Sequence, residues 1–173
     1  MKKFFMSAWV VVVVALVGGA YVSANEKSKT RLKATLDGTQ EVPLVVTTGS
    51  GTLDLEIDDD AQTIAFELSY DNLEGIAPTT PGGIVTASHI HVGLPGTNGG
   101  VSVFFCGGGG RPACPPSGTV TGVISPADVV GPSSQGVTAG EFADLLNVLR
   151  QRQTYVNVHT TRSPSGEIRG LIK

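Results

Sequence analysis

The chain lacks several features that mark common functional classes. It has two cysteines, three histidines and one tryptophan among 173 residues, and it has no run of lysine and arginine. Without a basic run it cannot neutralise a row of phosphates, which excludes a nucleic-acid-binding protein. So few cysteines and histidines exclude a disulfide-dense miniprotein and a multi-metal cluster protein. A phosphate-binding loop, a dinucleotide fingerprint and an HExxH helix are also missing from the sequence.

The composition that remains is typical of one globular domain with many turns. Hydrophobic residues make up 40%, charged residues 16%, and the formal net charge is −3. Glycine and proline, with 23 and 10 residues, are more frequent than average but below the range of low-complexity chains. The length is that of a single domain, and the apolar fraction is sufficient for one core.

The first 24 residues have the pattern of a secretory signal peptide. Lys2 and Lys3 precede an apolar run over residues 4–17, and the small residues of Val22-Ser23-Ala24 follow. The alternative is a membrane anchor, but the run is short for a bilayer span. We expect cleavage before Asn25 and a secreted or periplasmic protein with no membrane span after signal cleavage.

Short alternating segments separated by turn residues fill most of the remaining chain. The alternation predicts about eight strands, over residues 31–36, 52–57, 63–70, 86–92, 101–106, 119–124, 155–160 and 167–172. The acidic triplet at residues 58–60 suits the tip of a hairpin. A calcium loop is the alternative, although the glycine and distal glutamate of an EF-hand are missing. The predicted fold is all-β, an antiparallel sandwich or Greek-key-like barrel.

One amphipathic helix is predicted over residues 138–151. Thr138 and Glu141 have the spacing of a capping box, and an apolar stripe follows at Phe142, Leu145, Leu146 and Leu149. A shorter helical turn is predicted at Ser125-Pro126-Ala127-Asp128. The stripe should pack on one face or end of the sheet.

The two cysteines enclose seven residues, four of them glycine. In an exported chain Cys106 and Cys114 most simply form a disulfide that constrains this loop. A thiolate metal site is the alternative, but the spacing is not that of a zinc knuckle.

The three histidines fall on compatible strand faces. His89 and His91 are two residues apart in one predicted strand, so both imidazoles project from the same face. His159 projects away from the core in a second strand, and the three converge if the strands are neighbours. Imidazole is the commonest protein ligand of copper and zinc. A structural hydrogen-bond cluster and acid–base catalysis are the alternative interpretations.

Other polar residues and loops are weaker candidates. Asn157 shares its strand face with His159, Glu167 and Arg169 lie two apart on one strand, and Glu41 follows the first strand. An ion pair or hydrogen-bond network is the simplest role for these residues. The glycine- and proline-rich loops 76–86 and 93–100 are candidate surfaces for a protein partner. No Ser-His-Asp or Cys-His arrangement is apparent, and no catalytic residue is assigned.

Four motifs in a fixed order resemble a known family. They are LDGTQEVP at residues 36–43, HIHVG at 89–93, YVNVHT at 155–160 and GEIRG at 166–170. The sequence resembles the CHRD domain over residues 31–173. Leu44 departs from the family, which often has a second proline there. The resemblance implies an extracytoplasmic, immunoglobulin-like β-sandwich or barrel and carries over no catalytic residues, because no activity is established for the family.

A second, local similarity is to Cu/Zn superoxide dismutase, a β-sandwich whose copper site begins with His-x-His on a strand. The histidines of the dismutase zinc loop have no counterpart between His91 and Thr154, so a full bimetal site is not expected. The favoured hypothesis is an exported, non-enzymatic binding or structural module with an extracellular or periplasmic partner. The alternative is a copper- or zinc-binding protein that uses His89, His91 and His159, with redox activity left open.

Overall fold

The computed structural model describes residues 29–73 and 85–173. The predicted signal peptide, and the part of the first candidate partner loop up to residue 84, lie outside the described residues. Val85, which was assigned to that loop, instead begins the strand that was predicted from residue 86. Within the described ranges no helix has the length and hydropathy needed to cross a bilayer.

The all-β prediction is confirmed, with eight strands in the described part of the chain. They are β1 (Thr30–Asp37), β2 (Ser50–Asp58), β3 (Thr63–Asp71), β4 (Val85–Val92), β5 (Val101–Cys106), β6 (Gly118–Ile124), β7 (Thr154–Thr160) and β8 (Ile168–Leu171). They form one antiparallel sheet in the order β5-β4-β7-β8-β1-β2-β3-β6. Since β5 and β6 also approach each other, the sheet curls into a nearly closed barrel.

The alternation of the strands builds the core. In the hairpin of β2 and β3, Leu55 lies opposite Phe66 and Leu53 opposite Leu68, and all four side chains are buried. Each strand has one apolar face, so the pairing register places these residues inside and their neighbours outside. The hairpin turn predicted at residues 58–60 is confirmed.

The helix α1 (Phe142–Arg150) begins later than predicted. Its stripe of Phe142, Leu145, Leu146 and Leu149 is buried, as expected. The predicted capping box of Thr138 and Glu141 is wrong. Gly140 has φ +83°, which no helical residue adopts, so the chain enters the helix only at Glu141. The other short turn forms as predicted, as a 3-10 turn over Pro126–Asp128 with a capping box between Ser125 and Asp128.

The predicted disulfide between Cys106 and Cys114 is present. It closes the loop that connects β5 to β6 across the opening of the barrel. Within this loop Arg111 forms a 2.9 Å ion pair with Asp128 and donates a 2.9 Å hydrogen bond to the carbonyl of Val123 on β6. On the β5 side, the amide of Val130 donates to the carbonyl of Ser102 at 2.8 Å. We call this set of contacts, which Arg111 makes with β6 and Val130 makes with β5, the seam.

Candidate metal centre

The site lies on the outer face of the sheet, where β5, β4, β7 and β8 run side by side. The registers place Phe104, His89, Asn157 and Arg169 directly opposite one another, in one row across the four strands. Alternation along β4 and β7 puts His91 and His159 on the same face. The sequence analysis predicted that the three imidazoles converge if their strands are neighbours. The pairing of β4 with β7 meets this condition and brings the imidazoles together.

The three histidines form a compact cluster. One ring nitrogen from each of His89, His91 and His159 lies within 4.8 Å of the others. The ring centroid of His89 is 4.5 Å from those of both His91 and His159. His89 and His91 are only 7% and 8% exposed, although they project from the outer face of the sheet. No carboxylate or thiolate among the described residues joins this group of candidate ligand atoms.

Backbone carbonyls determine which nitrogen of two rings carries the proton. The Nδ1 atom of His91 lies 2.8 Å from the carbonyl oxygen of Gly99. The Nδ1 atom of His159 lies 2.9 Å from the carbonyl oxygen of Pro164. A carbonyl oxygen only accepts hydrogen bonds, so each Nδ1 must donate. In the neutral ring the Nε2 atom then carries a lone pair. In histidines that bind a metal ion through one ring nitrogen, the other ring nitrogen typically donates a hydrogen bond in this way.

Burial keeps the rings neutral. Desolvation, with a smaller contribution from the neighbouring imidazoles, lowers the pKa of His89 to about 3. Desolvation likewise lowers the pKa of His91 to about 4, and it lowers the pKa of His159. The Nδ1 atom of His89 is buried without a hydrogen-bond partner among the described residues. Near neutral pH the cluster therefore presents uncharged imidazoles with lone pairs available.

Asn157 lies between the cluster and a buried carboxylate. Its Oδ1 atom is 3.1 Å from Nε2 of His91 and 2.9 Å from Nε2 of His159. On its other side the Asn157 side chain lies beside Glu41 and helps to lower the pKa of that carboxyl, whose Oε1 atom has no hydrogen-bond partner among the described residues. Desolvation raises the pKa of Glu41 to about 7, against the lowering effects of Arg169 and of the Asn157 amide.

Arg169 and Tyr155 support the cluster from behind. The guanidinium carbon of Arg169 lies 3.3 Å from the ring centroid of Tyr155, and the Tyr155 ring stacks on His91 with centroids 4.6 Å apart. Arg169 also donates to Oδ1 of Asn98 and to the carbonyl of Thr97. These contacts fix the loop that carries the Gly99 carbonyl.

Glu167 occupies a separate part of the polar network. It is buried just before β8 and accepts hydrogen bonds from Thr47 at 2.8 Å and Thr160 at 2.6 Å. The hydroxyl contacts tie the loop before β2 and the end of β7 to this side of the site.

Some contributors were not identified from the sequence. Tyr155 could have been found, because it occupies the same strand face as Asn157 and His159. Phe104, whose ring meets that of His89 edge-on at 5.0 Å between centroids, depends on the pairing of β4 with β5. The carbonyls of Gly99 and Pro164 belong to loops and have no sequence signal.

A family model of the CHRD domain matches residues 32–172, which is nearly the whole chain. No curated protein and no solved structure is matched at a significant level.

Proposed function

The chain belongs to the CHRD domain family, and from this premise we propose that it is an exported, non-enzymatic binding module whose ligand is a copper or zinc ion. The ion is held by His89, His91 and His159. The observation that carries the proposal is the convergence of three neutral imidazoles, two of which have their proton fixed on the nitrogen that faces away from the cluster.

The spacing of the cluster requires little rearrangement. In a tetrahedral site with metal–nitrogen distances of about 2.0–2.1 Å, neighbouring donor atoms are about 3.3–3.4 Å apart. The ligand atoms here lie within 4.8 Å of one another. Side-chain rotations that shorten these separations by an ångström or so complete the site, while the strands stay in place.

The donor set favours late first-row metal ions. Imidazole suits copper and zinc, whereas calcium and magnesium prefer carboxylate and carbonyl oxygen. Both cysteines are in the disulfide, so a thiolate site is not formed by them. The Irving–Williams order predicts tighter binding of Cu²⁺ than of Zn²⁺.

Export is supported by two independent features. The sequence of residues 1–24 has the pattern of a signal peptide. The disulfide is a bond that persists in oxidising compartments and is rare in the cytosol of most cells. The proposed location is the periplasm or the extracellular space.

A purely structural hydrogen-bond cluster is less well supported. With Nδ1 of both rings donating to carbonyls, the Nε2 lone pairs of His91 and His159 face Oδ1 of Asn157, which is also an acceptor. Buried acceptors that face one another without a donor are unfavourable, and a cation relieves the conflict.

The test is calorimetric titration of the exported product of the full chain with Zn²⁺ and, separately, Cu²⁺. We expect one ion per chain with a submicromolar dissociation constant, and loss of this binding in the His89→Ala/His91→Ala variant. The matched control is Asp54→Ala/Glu56→Ala, which removes two side chains with the same spacing on the outer face of β2. The control should bind as the natural protein does.

Two results would contradict the proposal. One is the absence of stoichiometric binding, and the other is binding that survives loss of both histidines. Either result would make the cluster structural and favour recognition of a macromolecular partner. The exposed side chains of Leu44, Val46 and Leu94 would then be the first surface to test by pull-down.

A further inference from the structure

We infer that Asn157 is the fourth ligand of the metal ion, through its side-chain oxygen, and that Glu41 orients it. The inference rests on the proposed function, since it concerns the same site. It adds an oxygen ligand to the three imidazoles, and it predicts a site closed by four protein ligands in place of one with an open position.

The position of the amide oxygen carries the inference. Asn157 is only 3% exposed, and its Oδ1 atom is 2.9 Å from one imidazole nitrogen and 3.1 Å from another. These separations are slightly below the spacing of about 3.3 Å between neighbouring donors in a tetrahedral site. Oδ1 is thus already near a ligand's position, on the same face as the imidazoles.

The orientation of the amide is fixed by its other side. The Asn157 side chain lies beside the Glu41 carboxyl and helps to lower its pKa; Glu41 is 6% exposed, and its Oε1 atom has no hydrogen-bond partner among the described residues. The Oδ1 atom faces the histidines, and an ionised Glu41, which only accepts hydrogen bonds, favours this orientation because the NH₂ group then faces the carboxylate. This arrangement resembles the carboxylate partners that orient ligands in other metal sites.

The backbone at Gly166 passes close to both Glu41 and Asn157. A Cβ atom built on Gly166 would lie 2.3 Å from Oε1 of Glu41 and 2.8 Å from Nδ2 of Asn157. The glycine therefore lets the chain pass directly over both side chains and limits the space in which they can move. A ligand held this way needs little ordering when the ion binds.

A fourth protein ligand has a chemical consequence. Catalytic zinc sites keep one position open for water or substrate, whereas structural sites are closed by four protein ligands. Three imidazoles and an amide oxygen form a closed site. Such a site is suited to holding an ion and not to hydrolysis.

The first test is the Asn157→Leu variant, which keeps the side-chain size and removes the oxygen. Its affinity for Zn²⁺ should fall by at least about tenfold, as for loss of a group that tunes a metal site. The ligand-field bands of bound Co²⁺, used as a spectroscopic probe, should change in position and intensity. Asn147→Leu, the same substitution at an exposed site on α1, should leave both properties unchanged.

The second test is the Glu41→Gln/Asn157→Asp double variant, which exchanges the amide and the carboxylate. The total charge is unchanged, an oxygen still faces the imidazoles, and an N–H···O contact between the two side chains is retained. We expect metal affinity at least equal to that of the natural protein. This rescue distinguishes a ligand oxygen from an amide that serves only to pack the site.

The outcomes separate the inference from the proposed function. If the natural protein binds neither Zn²⁺, Cu²⁺ nor Co²⁺, both fail. If it binds them and Asn157→Leu binds equally well or better with an unchanged Co²⁺ spectrum, only the inference fails. Should the Leu variant not fold, a zinc-loaded crystal structure of the natural protein decides. Oδ1 of Asn157 within about 2.2 Å of the ion supports the inference, and a water in that position overturns it.

Discussion

Gly166 should be among the least replaceable glycines in the protein, and Gly166→Ala tests the geometry behind the cluster. Gly166 has φ +123°, a backbone conformation that residues with a Cβ atom rarely adopt. The space that a side chain at this position would need is already occupied by Glu41 and by the amide of Asn157. Alanine therefore introduces backbone strain and steric overlap at the same time.

The two costs can be estimated separately. Holding a non-glycine residue in such a conformation costs about 1–3 kcal/mol. Forcing a methyl group into a filled, buried region costs about 1–3 kcal/mol more. We expect Gly166→Ala to lower the free energy of unfolding by about 2–6 kcal/mol and to weaken zinc binding as the confined pair shifts.

Gly136→Ala is the matched control for backbone strain. Gly136 has φ +84°, and a Cβ atom there meets nothing within 4 Å. This variant should lose only about 1–2 kcal/mol, the cost of the left-handed conformation. Urea unfolding followed by circular dichroism, with a chelator present, gives both values. Equal losses in the two variants would refute the idea that the contact over Glu41 and Asn157 is tight.

Three further predictions concern stability. Burial raises the pKa of Tyr70 to about 12, so the fold favours its protonated form; this contribution is intact below pH 10 and is lost as the pH rises towards 12. The free energy of unfolding, obtained from urea titrations, should therefore fall by about 3 kcal/mol at alkaline pH, and this loss should be absent in Tyr70→Phe. Replacing Cys106 and Cys114 by alanine should cost about 2.5 kcal/mol of unfolding free energy by loop entropy, and an unchanged urea midpoint would contradict it. Zinc at a hundredfold excess over its dissociation constant should raise the unfolding free energy by about 2.7 kcal/mol, and no zinc-dependent shift should appear in the His89→Ala/His91→Ala variant.

Much of the fold was predictable because period-2 patterning reports directly on strand faces. The strand β2, which contains Leu53 and Leu55, was placed to within two residues at each end by alternation alone. Helix entry was less predictable, since the capping pattern at Thr138 ignores the conformation of Gly140. A left-handed glycine within four residues overrides a favourable cap, and its φ angle depends on the tertiary structure.

The candidate site was predictable in its residues but not in its contacts. Alternation placed His89, His91 and His159 on outward faces, but only the pairing of β4 with β7 brings them together. The hydrogen bonds to backbone carbonyls depend on how the loops after β4 and β7 turn back towards their own strands, and the contact of Asn157 with His91 depends on strand pairing. No local pattern encodes such contacts.

The seam has a consequence for how the molecule behaves at high concentration. Among the strands of the described residues, β5 and β6 each pair with one neighbour, and an unpaired strand edge is a template for pairing with another chain. Arg111 donates a hydrogen bond to a backbone carbonyl of β6, and the amide of Val130 donates one to a backbone carbonyl of β5. The disulfide holds the loop that carries Arg111 in place. We therefore expect the seam to hinder edge-to-edge pairing between molecules. Under reducing conditions, self-association should become detectable while the barrel itself is still folded.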